Sequence, residues 1–462
     1  MTLIKSISGI RGTIGGAQGE NLTPIDAVMY GAAYGTWVKK QIEKESYRVV
    51  VGRDARLSGN MIQQLVINTL VGLGIDVINL DLSTTPTVEM AVVMEKADGG
   101  IILTASHNPK QWNALKLLNA KGEFLDAVAG QEILDIAQGA NMLFATVDNL
   151  GKVTRNDAYI DLHIDEILAL DLVNVKAIKA ANFKVVVDAV NSTGGIAIPL
   201  LLEALGVHPV KLFCTPNGEF PHNPEPLKEH LGDLMHEVVS QGADFGIVVD
   251  PDVDRLAFVD EKGEMFGEEY TLVAVADYVL THRPGNTVSN MSSSRALRDI
   301  TNKHKGSYTA SAVGEVNVVQ MMKDTDAVIG GEGNGGIIYP ELHYGRDSLV
   351  GVALFLSHLA EQKMTVSALR ASYPSYFMSK QKIALTPQID VDAILEKMAD
   401  TYKAEEITTI DGVKIDFESN WVHLRKSNTE PIIRIYTEAT SQIKADELAN
   451  DIISEIKHIA GL

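Results

Sequence analysis

The chain has 462 residues, 45% hydrophobic and 22% charged, the profile of a soluble globular protein with room for about three or four domains. Its net charge of −20, from 60 acidic against 40 basic residues, argues against a nucleic-acid partner, which draws on clustered Lys and Arg. No apolar run approaches the roughly 18 residues of a spanning helix, no secretory leader is evident, and the single cysteine, Cys214, fits a reducing compartment; no membrane partner and a cytoplasmic location are expected. A small phosphorylated ligand stays open, because charges beyond about 8–10 Å are screened and a few local arginines outweigh the global sign.

Along the chain, Arg48-Val-Val-Val-Gly-Arg53-Asp54 reads as a buried strand ending in a glycine turn with charges at its tip. A helix over 61–73 follows, with Ser58 or Asn60 as the expected cap. Strands over 74–80 and 100–104 come next, and helices between short apolar strands imply a mostly parallel sheet. The pattern returns with a strand over 183–188, a helix over 196–205 and strands over 207–213 and 243–250. A third round has a hairpin over 258–266 turning at Lys262-Gly263, helices over 268–280 and 294–303, and strands over 287–290 and 327–330. Three rounds in similar order point to internal duplication. Ser372-Tyr-Pro374-Ser-Tyr376 reads as a linker. Beyond it, strands over 380–385, 412–417, 421–425 and 432–438 and an amphipathic helix over 445–459 predict a separate antiparallel α+β domain.

Four motifs carry chemistry. Leu103-Thr-Ala-Ser106-His107-Asn-Pro109 delivers a serine at the C-terminal end of a strand, where open α/β sheets place ligands, and Asn-Pro forces a turn. Such a serine is a nucleophile, a phosphate carrier or ordinary loop polarity. Asp250-Pro-Asp252-Val-Asp254-Arg255 also follows an apolar strand. In extended backbone its three carboxylates share one face, and so close together they repel unless a hard cation such as Mg²⁺ sits among them; the alternative is an acidic turn partly neutralised by Arg255. Gly331-Glu332-Gly333-Asn334-Gly335-Gly336 offers an acceptor and an amide suited to sugar hydroxyls, without the glycine order of a dinucleotide or P-loop site. Arg425-Lys-Ser427-Asn428-Thr429-Glu-Pro431 offers a guanidinium, hydroxyls, an amide and backbone N–H groups to a phosphate. Arg11, flanked by glycines, is a similar arginine. Lys116 reads locally as a solvated lysine.

In combination and order these motifs resemble the phosphohexomutase superfamily, over essentially the whole length. The resemblance implies an α/β fold of four domains around a central cleft, here 1–150, 151–255, 256–371 and 372–462: three related units with mixed sheets and a C-terminal antiparallel α+β domain. It implies that Ser106 carries a phosphoryl group, with one Mg²⁺ held by Ser106, Asp250, Asp252 and Asp254. It also implies transfer to a hexose monophosphate through a 1,6-bisphosphate, with hexose 1,6-bisphosphate as activator. Arg11, His107 and Lys116 match positions near the phosphoserine, Lys116 as proton-transfer partner. Arg255, Glu332, Asn334, Arg425, Ser427, Asn428 and Thr429 would bind substrate. Many members have Gly-Glu-x-Ser-Gly-His in the sugar loop, whereas Asn334 and Gly336 stand here for the serine and histidine. Phosphoglucosamine mutase is the expected activity, phosphoglucomutase/phosphomannomutase the alternative. A catalytically silent sugar-phosphate binder predicts damage to Ser106 or the Asp triplet, and both are intact. An aspartate-nucleophile phosphatase leaves the serine and phosphate loops unexplained.

Overall fold

The computed structural model describes residues 2–6, 9–139, 141–384, 389–426 and 432–460. In the first unit seven strands lie in the spatial order Ile4–Ser6, Gly9–Thr13, Trp112–Leu118, Gly99–Leu103, Tyr47–Arg53, Ile75–Leu82 and Val153–Arg155. The sheet is mixed and not mostly parallel, with three antiparallel pairings followed by three parallel ones. Valines and isoleucines such as Val49, Val51 and Ile101 are fully buried in its parallel part, because both faces are covered there.

Four strands of that sheet recur in the next two units with one arrangement. Tyr47–Arg53 lies between Ile75–Leu82 and Gly99–Leu103, parallel to both, and Trp112–Leu118 returns antiparallel to Gly99–Leu103. In the second unit Lys184–Asp188 lies between His208–Leu212 and Phe245–Val249, and Leu256–Asp260 returns. In the third Asn286–Asn290 lies between Tyr308–Ser311 and Ala327–Glu332, and Gly336–Ile338 returns. The expected duplication and mixed sheets are therefore visible as topology. The hairpin into each returning strand carries Ser106, the Asp triplet and Glu332 respectively.

The second and third units share one core. Helices Glu268–His282 and Ser348–Gln362 are buried nearly all round between them, and the rings of Phe258 and Phe355 stack with centroids 3.8 Å apart. The last unit is a five-stranded antiparallel sheet, ordered Phe377–Ala384, Ile432–Ala439, Trp421–Lys426, Val413–Asp416 and Glu406–Thr408. Helices Val391–Thr401 and Gln442–Ala460 cover it and close a core of its own. Among the described residues no helix is long and apolar enough to cross a membrane.

Two local expectations give way to tertiary contacts, the first in part. The helix expected over 61–73 runs Gly59–Gly72; Ser58 does take the N-cap position, but its side chain makes no capping hydrogen bond. Asn60 lies inside the helix, and Ser58 Oγ instead accepts from Asn113 Nδ2 at 2.9 Å. The stretch 372–376 is no free linker. Tyr373 is buried, Tyr270 Oη donates to the Pro374 carbonyl (2.7 Å) and accepts from Tyr376 N (2.8 Å), and Tyr376 Oη donates to Asp299 (2.6 Å).

The last unit docks on the third through buried Arg295. Its guanidinium donates to the carbonyls of Phe417, Glu418 and Asn420 and to Asp416, at 2.9–3.3 Å, and its backbone N donates to Glu438 at 3.1 Å. Arg295→Ala leaves those acceptors facing a protein interior. The last unit's melting transition is expected to fall by the equivalent of about 3 kcal/mol, with a larger radius of gyration in small-angle scattering. An unchanged transition and radius would show that the clamp is dispensable.

Candidate active site

Ser106 sits in left-handed backbone, φ 48°, a conformation that costs a non-glycine residue about 1 kcal/mol or more and that its surroundings must hold. Ser106 N donates to Thr104 Oγ1 (2.9 Å), Thr104 Oγ1 donates to Asp54 Oδ2 (2.7 Å), and Asp54 pairs with Arg56 Nε (2.8 Å). Arg56 is 1% exposed and donates to four carbonyls of the same loop, those of Ser106, Asn108, Pro109 and Trp112. The strained turn aims Ser106 Oγ across the unit boundary, where it donates to Asp250 Oδ2 at 2.7 Å. His107 Nδ1 lies 3.3 Å from the same hydroxyl. Burial, reinforced by the nearby positive charge of Arg255, holds the His107 pKa down at about 3, so the ring is neutral near pH 7.

The three aspartates do converge, but through a turn instead of an extended run. Val253 has φ 66°, and Asp250 Oδ1 accepts from Asp254 N and Arg255 N, both at 3.1 Å. All three are 0% exposed. Nor are they uncompensated. Lys116, on the returning strand of the first unit, reaches Asp252 Oδ2 at 2.7 Å and Asp254 Oδ2 at 3.3 Å, so it is no solvated lysine. Thr85 Oγ1 donates to Asp252 Oδ2 (2.7 Å), and Arg346 Nη2 to Asp254 Oδ2 (2.7 Å). Burial alone would depress Lys116, but Asp252 and Asp254 more than offset it and hold the ammonium above its usual pKa. Burial would likewise lift Asp254, yet Arg346, Lys116 and Arg255 bring it below the usual carboxylate range. Asp250 goes the other way, raised by burial and by its two neighbouring carboxylates. Arg255 approaches Glu225 at 3.6 Å and keeps a buried Nε without a partner.

In the third unit Glu332 Oε1 accepts from Asn290 Nδ2 (2.8 Å) and Gly314 N (3.3 Å), and Oε2 from Arg346 Nη1 (2.8 Å). Asn334 Oδ1 accepts from Gly336 N at 3.2 Å, tying the loop to itself. On the last unit, Arg425 pairs with Asp411 (2.9 Å) and stands opposite Arg434, which stands opposite Lys382: a basic row across three strands. Arg11 lies on the exposed side of Gly9–Thr13; partial desolvation and, after it, the charge of Arg434 lower its pKa. The expected phosphate-loop residues Ser427, Asn428 and Thr429 lie outside the described residues.

Comparison with known proteins agrees along the whole chain. Descriptions of phosphoglucomutase/phosphomannomutase alpha/beta/alpha domains I, II and III match residues 3–142, 161–263 and 267–376, and that of the C-terminal domain matches 381–455. The chain belongs to this family. It is 37% identical to a phosphoglucomutase/phosphomannomutase of Thermococcus kodakarensis, over 94% of this chain and 96% of that one. It is 32% identical to a probable phosphoglucosamine mutase of Methanopyrus kandleri, over 97% of both. A crystal structure of a phosphoglucomutase/phosphomannomutase family protein from Burkholderia thailandensis superposes with a TM-score of 0.84 at 26% identity, over 99% of this chain and 98% of that one.

In this family member the triplet fits a hard divalent cation. One oxygen atom from each aspartate lies within 4.8 Å of the others, and Asp252 Oδ1 and Asp254 Oδ1 are buried with no partner, although each residue's other oxygen is taken. An all-oxygen set with two idle acceptors suits Mg²⁺ better than a soft metal. Reading the sequence missed Arg56, Thr85, Arg346 and Arg434. Thr85-Pro86 after Thr84 does announce a helix start, and Thr84 Oγ1 accepts from Thr87 N at 3.1 Å. Nothing local marks the three arginines.

Proposed function

We propose that the protein interconverts hexose 6-phosphate and hexose 1-phosphate through a phosphoserine at Ser106. The observation that carries this reading is Ser106 Oγ, 2.7 Å from Asp250 Oδ2 and beside two buried carboxylate oxygens left without partners. Asp250, Asp252 and Asp254 would hold one Mg²⁺, which when bound neutralises charge on a transferring phosphoryl group. The sugar hydroxyl forms the new P–O bond as the bond from phosphorus to Ser106 Oγ breaks. The hydroxyl proton ends on Ser106 Oγ, and Lys116 Nζ is the relay we assign. Arg255 stabilises the charge on the moving group. Glu332 has three of about four carboxylate lone pairs already filled, which leaves it one acceptor position for a sugar hydroxyl. Arg11, Arg425 and Arg434 would bind the phosphate that is not reacting, the role the resemblance also gives to Ser427, Asn428 and Thr429. The resulting 1,6-bisphosphate turns over and returns its other phosphate to Ser106, so added hexose 1,6-bisphosphate primes the enzyme. The divisions expected at 150 and 255 move a few residues later in this reading, past Val153–Arg155, which pairs into the first sheet, and past Leu256–Asp260, which pairs into the second. The first three units each contribute one reacting loop.

Within the class we place the amino sugar first, because relatives of Methanopyrus kandleri and Sulfurisphaera tokodaii are named for glucosamine phosphates. The Thermococcus relative, named for glucose and mannose phosphates, favours the second reading. The test is kcat/KM on glucosamine 6-phosphate, glucose 1-phosphate and mannose 1-phosphate with Mg²⁺ and bisphosphate. A preference of tenfold for the amino sugar, about 1.4 kcal/mol in the transition state, is expected. The reverse preference assigns the second activity, and no turnover on any of the three overturns the mutase reading.

A further inference from the structure

Gly336 is directly opposite Glu332 in the hairpin of the third unit, so a side chain at 336 would stand beside that carboxylate. Its backbone is not in the left-handed region, so conformation does not require glycine here. Space does. A Cβ at 336 would collide with Arg346 Cδ, and would lie 3.1 Å from Arg346 Cγ and 3.2 Å from Asn334 Oδ1. The volume that a residue at 336 would fill is filled by the stem of Arg346.

Arg346 makes four hydrogen bonds, three of them charge-assisted from its guanidinium. Arg346 Nη1 donates to Glu332 Oε2 (2.8 Å), Nη2 to Asp254 Oδ2 (2.7 Å) and Nε to Glu315 Oε2 (3.0 Å), while its backbone N donates to Glu315 Oε1 (2.9 Å). The neighbouring residue fixes the stem. Asp347 N donates to the Ile337 carbonyl (2.8 Å), Asp347 Oδ1 caps the helix Ser348–Gln362, and Oδ2 receives His163 Nε2 (2.9 Å) and His343 Nε2 (3.3 Å). The two loops it joins are already tied backbone to backbone, Leu256 N to the Gly335 carbonyl and Ser348 N to the Val253 carbonyl, both at 3.1 Å. A planar guanidinium with donors on two edges suits this bridge, whereas a lysine ammonium on a flexible stem would not span three carboxylates.

We propose that Arg346 is a positioning residue that couples the two halves of the site in this chain, and that it stands in for the side chain the sugar loop lacks at Gly336. One guanidinium sets Asp254, a ligand of the cation, and Glu332, the acceptor for the sugar, so that neither moves alone. Gly336 is glycine because the Arg346 stem passes through the space a Cβ would take. This rests on the functional reading given above for the same site.

The test uses full-length protein, steady-state kinetics and calorimetric titration with Mg²⁺ alone. Gly336→Ala keeps every charged group but displaces the stem. It is expected to lower kcat at least about tenfold and to weaken Mg²⁺ binding several-fold, although residue 336 is no metal ligand. Arg346→Ala should do both, and adding Gly336→Ala to it should change either quantity less than about twofold, because no stem remains to displace. Losses that multiply in the double variant would overturn the proposal. Should Arg346→Ala give no cooperative melt, Gly336→Ala decides alone: a fall in kcat with Mg²⁺ affinity unchanged means a steric fault of the sugar loop and sinks the coupling. Wild-type protein inactive on every hexose phosphate would refute the mutase reading, while the Mg²⁺ titrations would still judge the bridge.

Discussion

Ser106→Ala is expected to lower turnover on the preferred hexose phosphate at least about 10⁴-fold, roughly 5 kcal/mol in the activation barrier. The loss is large because the hydroxyl is the proposed covalent carrier, and neither neighbour can take over. His107 lies beside the hydroxyl, 3.3 Å away, and not in its place, and the Asp250 carboxylate that accepts the Ser106 hydrogen bond is itself needed for the cation. The fold should survive, since Ser106 makes its backbone bond to Thr104 without the side chain and Arg56 holds the loop carbonyls. The check combines kinetics with intact-mass analysis after exposure to hexose 1,6-bisphosphate and Mg²⁺. Wild-type protein should gain one phosphoryl group and the variant none. A variant that keeps more than about a hundredth of wild-type turnover would move the carrier elsewhere, to an aspartate of the triplet first.

The repeat explains how three loops from distant parts of the chain meet. Each unit uses the same four-strand order and the same hairpin into the returning strand, so duplication places one loop per unit at an equivalent sheet end. Divergence then needs to alter only loop residues: a serine in the first, carboxylates in the second, a carboxylate and glycines in the third. Cross-unit bonds finish the assembly, with Ser106 to Asp250, Thr85 and Lys116 to Asp252, and Arg346 to Asp254.

What could be read in the sequence was what is contiguous in it. Ser106-His107 and Asp250 to Arg255 each follow an apolar strand within a few residues, and the two buried faces of Gly99–Leu103 and Phe245–Val249 appear as unbroken apolar runs. Arg346 was not legible because its meaning lies in Asp254, 92 residues earlier, and Glu332, on the facing hairpin. Lys116 looked solvated because its partners are 136 and 138 residues away. Ser58 takes the N-cap position as expected, but its hydroxyl makes no capping bond for the same reason, accepting instead from Asn113, 55 residues away. Helix Thr85–Met94 was passed over because its residues are buried nearly all round, which removes the amphipathic period that marks a surface helix.

Arg56 is the second position where a large effect is expected, and it touches no reacting atom. Its side chain is 0% exposed, pairs with equally buried Asp54, and supplies the donors for four carbonyls of the serine loop. Arg56→Ala removes five hydrogen-bond donations at once and leaves Asp54 with Thr104 Oγ1 and a backbone N–H. Burial already lifts the Asp54 pKa above its usual value against the opposing charge of Arg56, so removing the guanidinium should lift it further. Breaking a buried pair of this kind costs about 3–5 kcal/mol, and the left-handed turn at Ser106 loses the contacts that hold it. The expected result is a clear fall in the first unit's melting temperature and at least a hundredfold loss of Ser106 phosphorylation rate, about 3 kcal/mol. Arg56→Lys should recover part of the stability but little of the rate, since one ammonium cannot serve Asp54 and four carbonyls together. Rapid-quench measurement of phosphoserine formation separates the two effects. A phosphorylation rate within about threefold of wild type in a folded Arg56→Ala protein would mean that the serine turn is held by Thr104 and Asp250 alone.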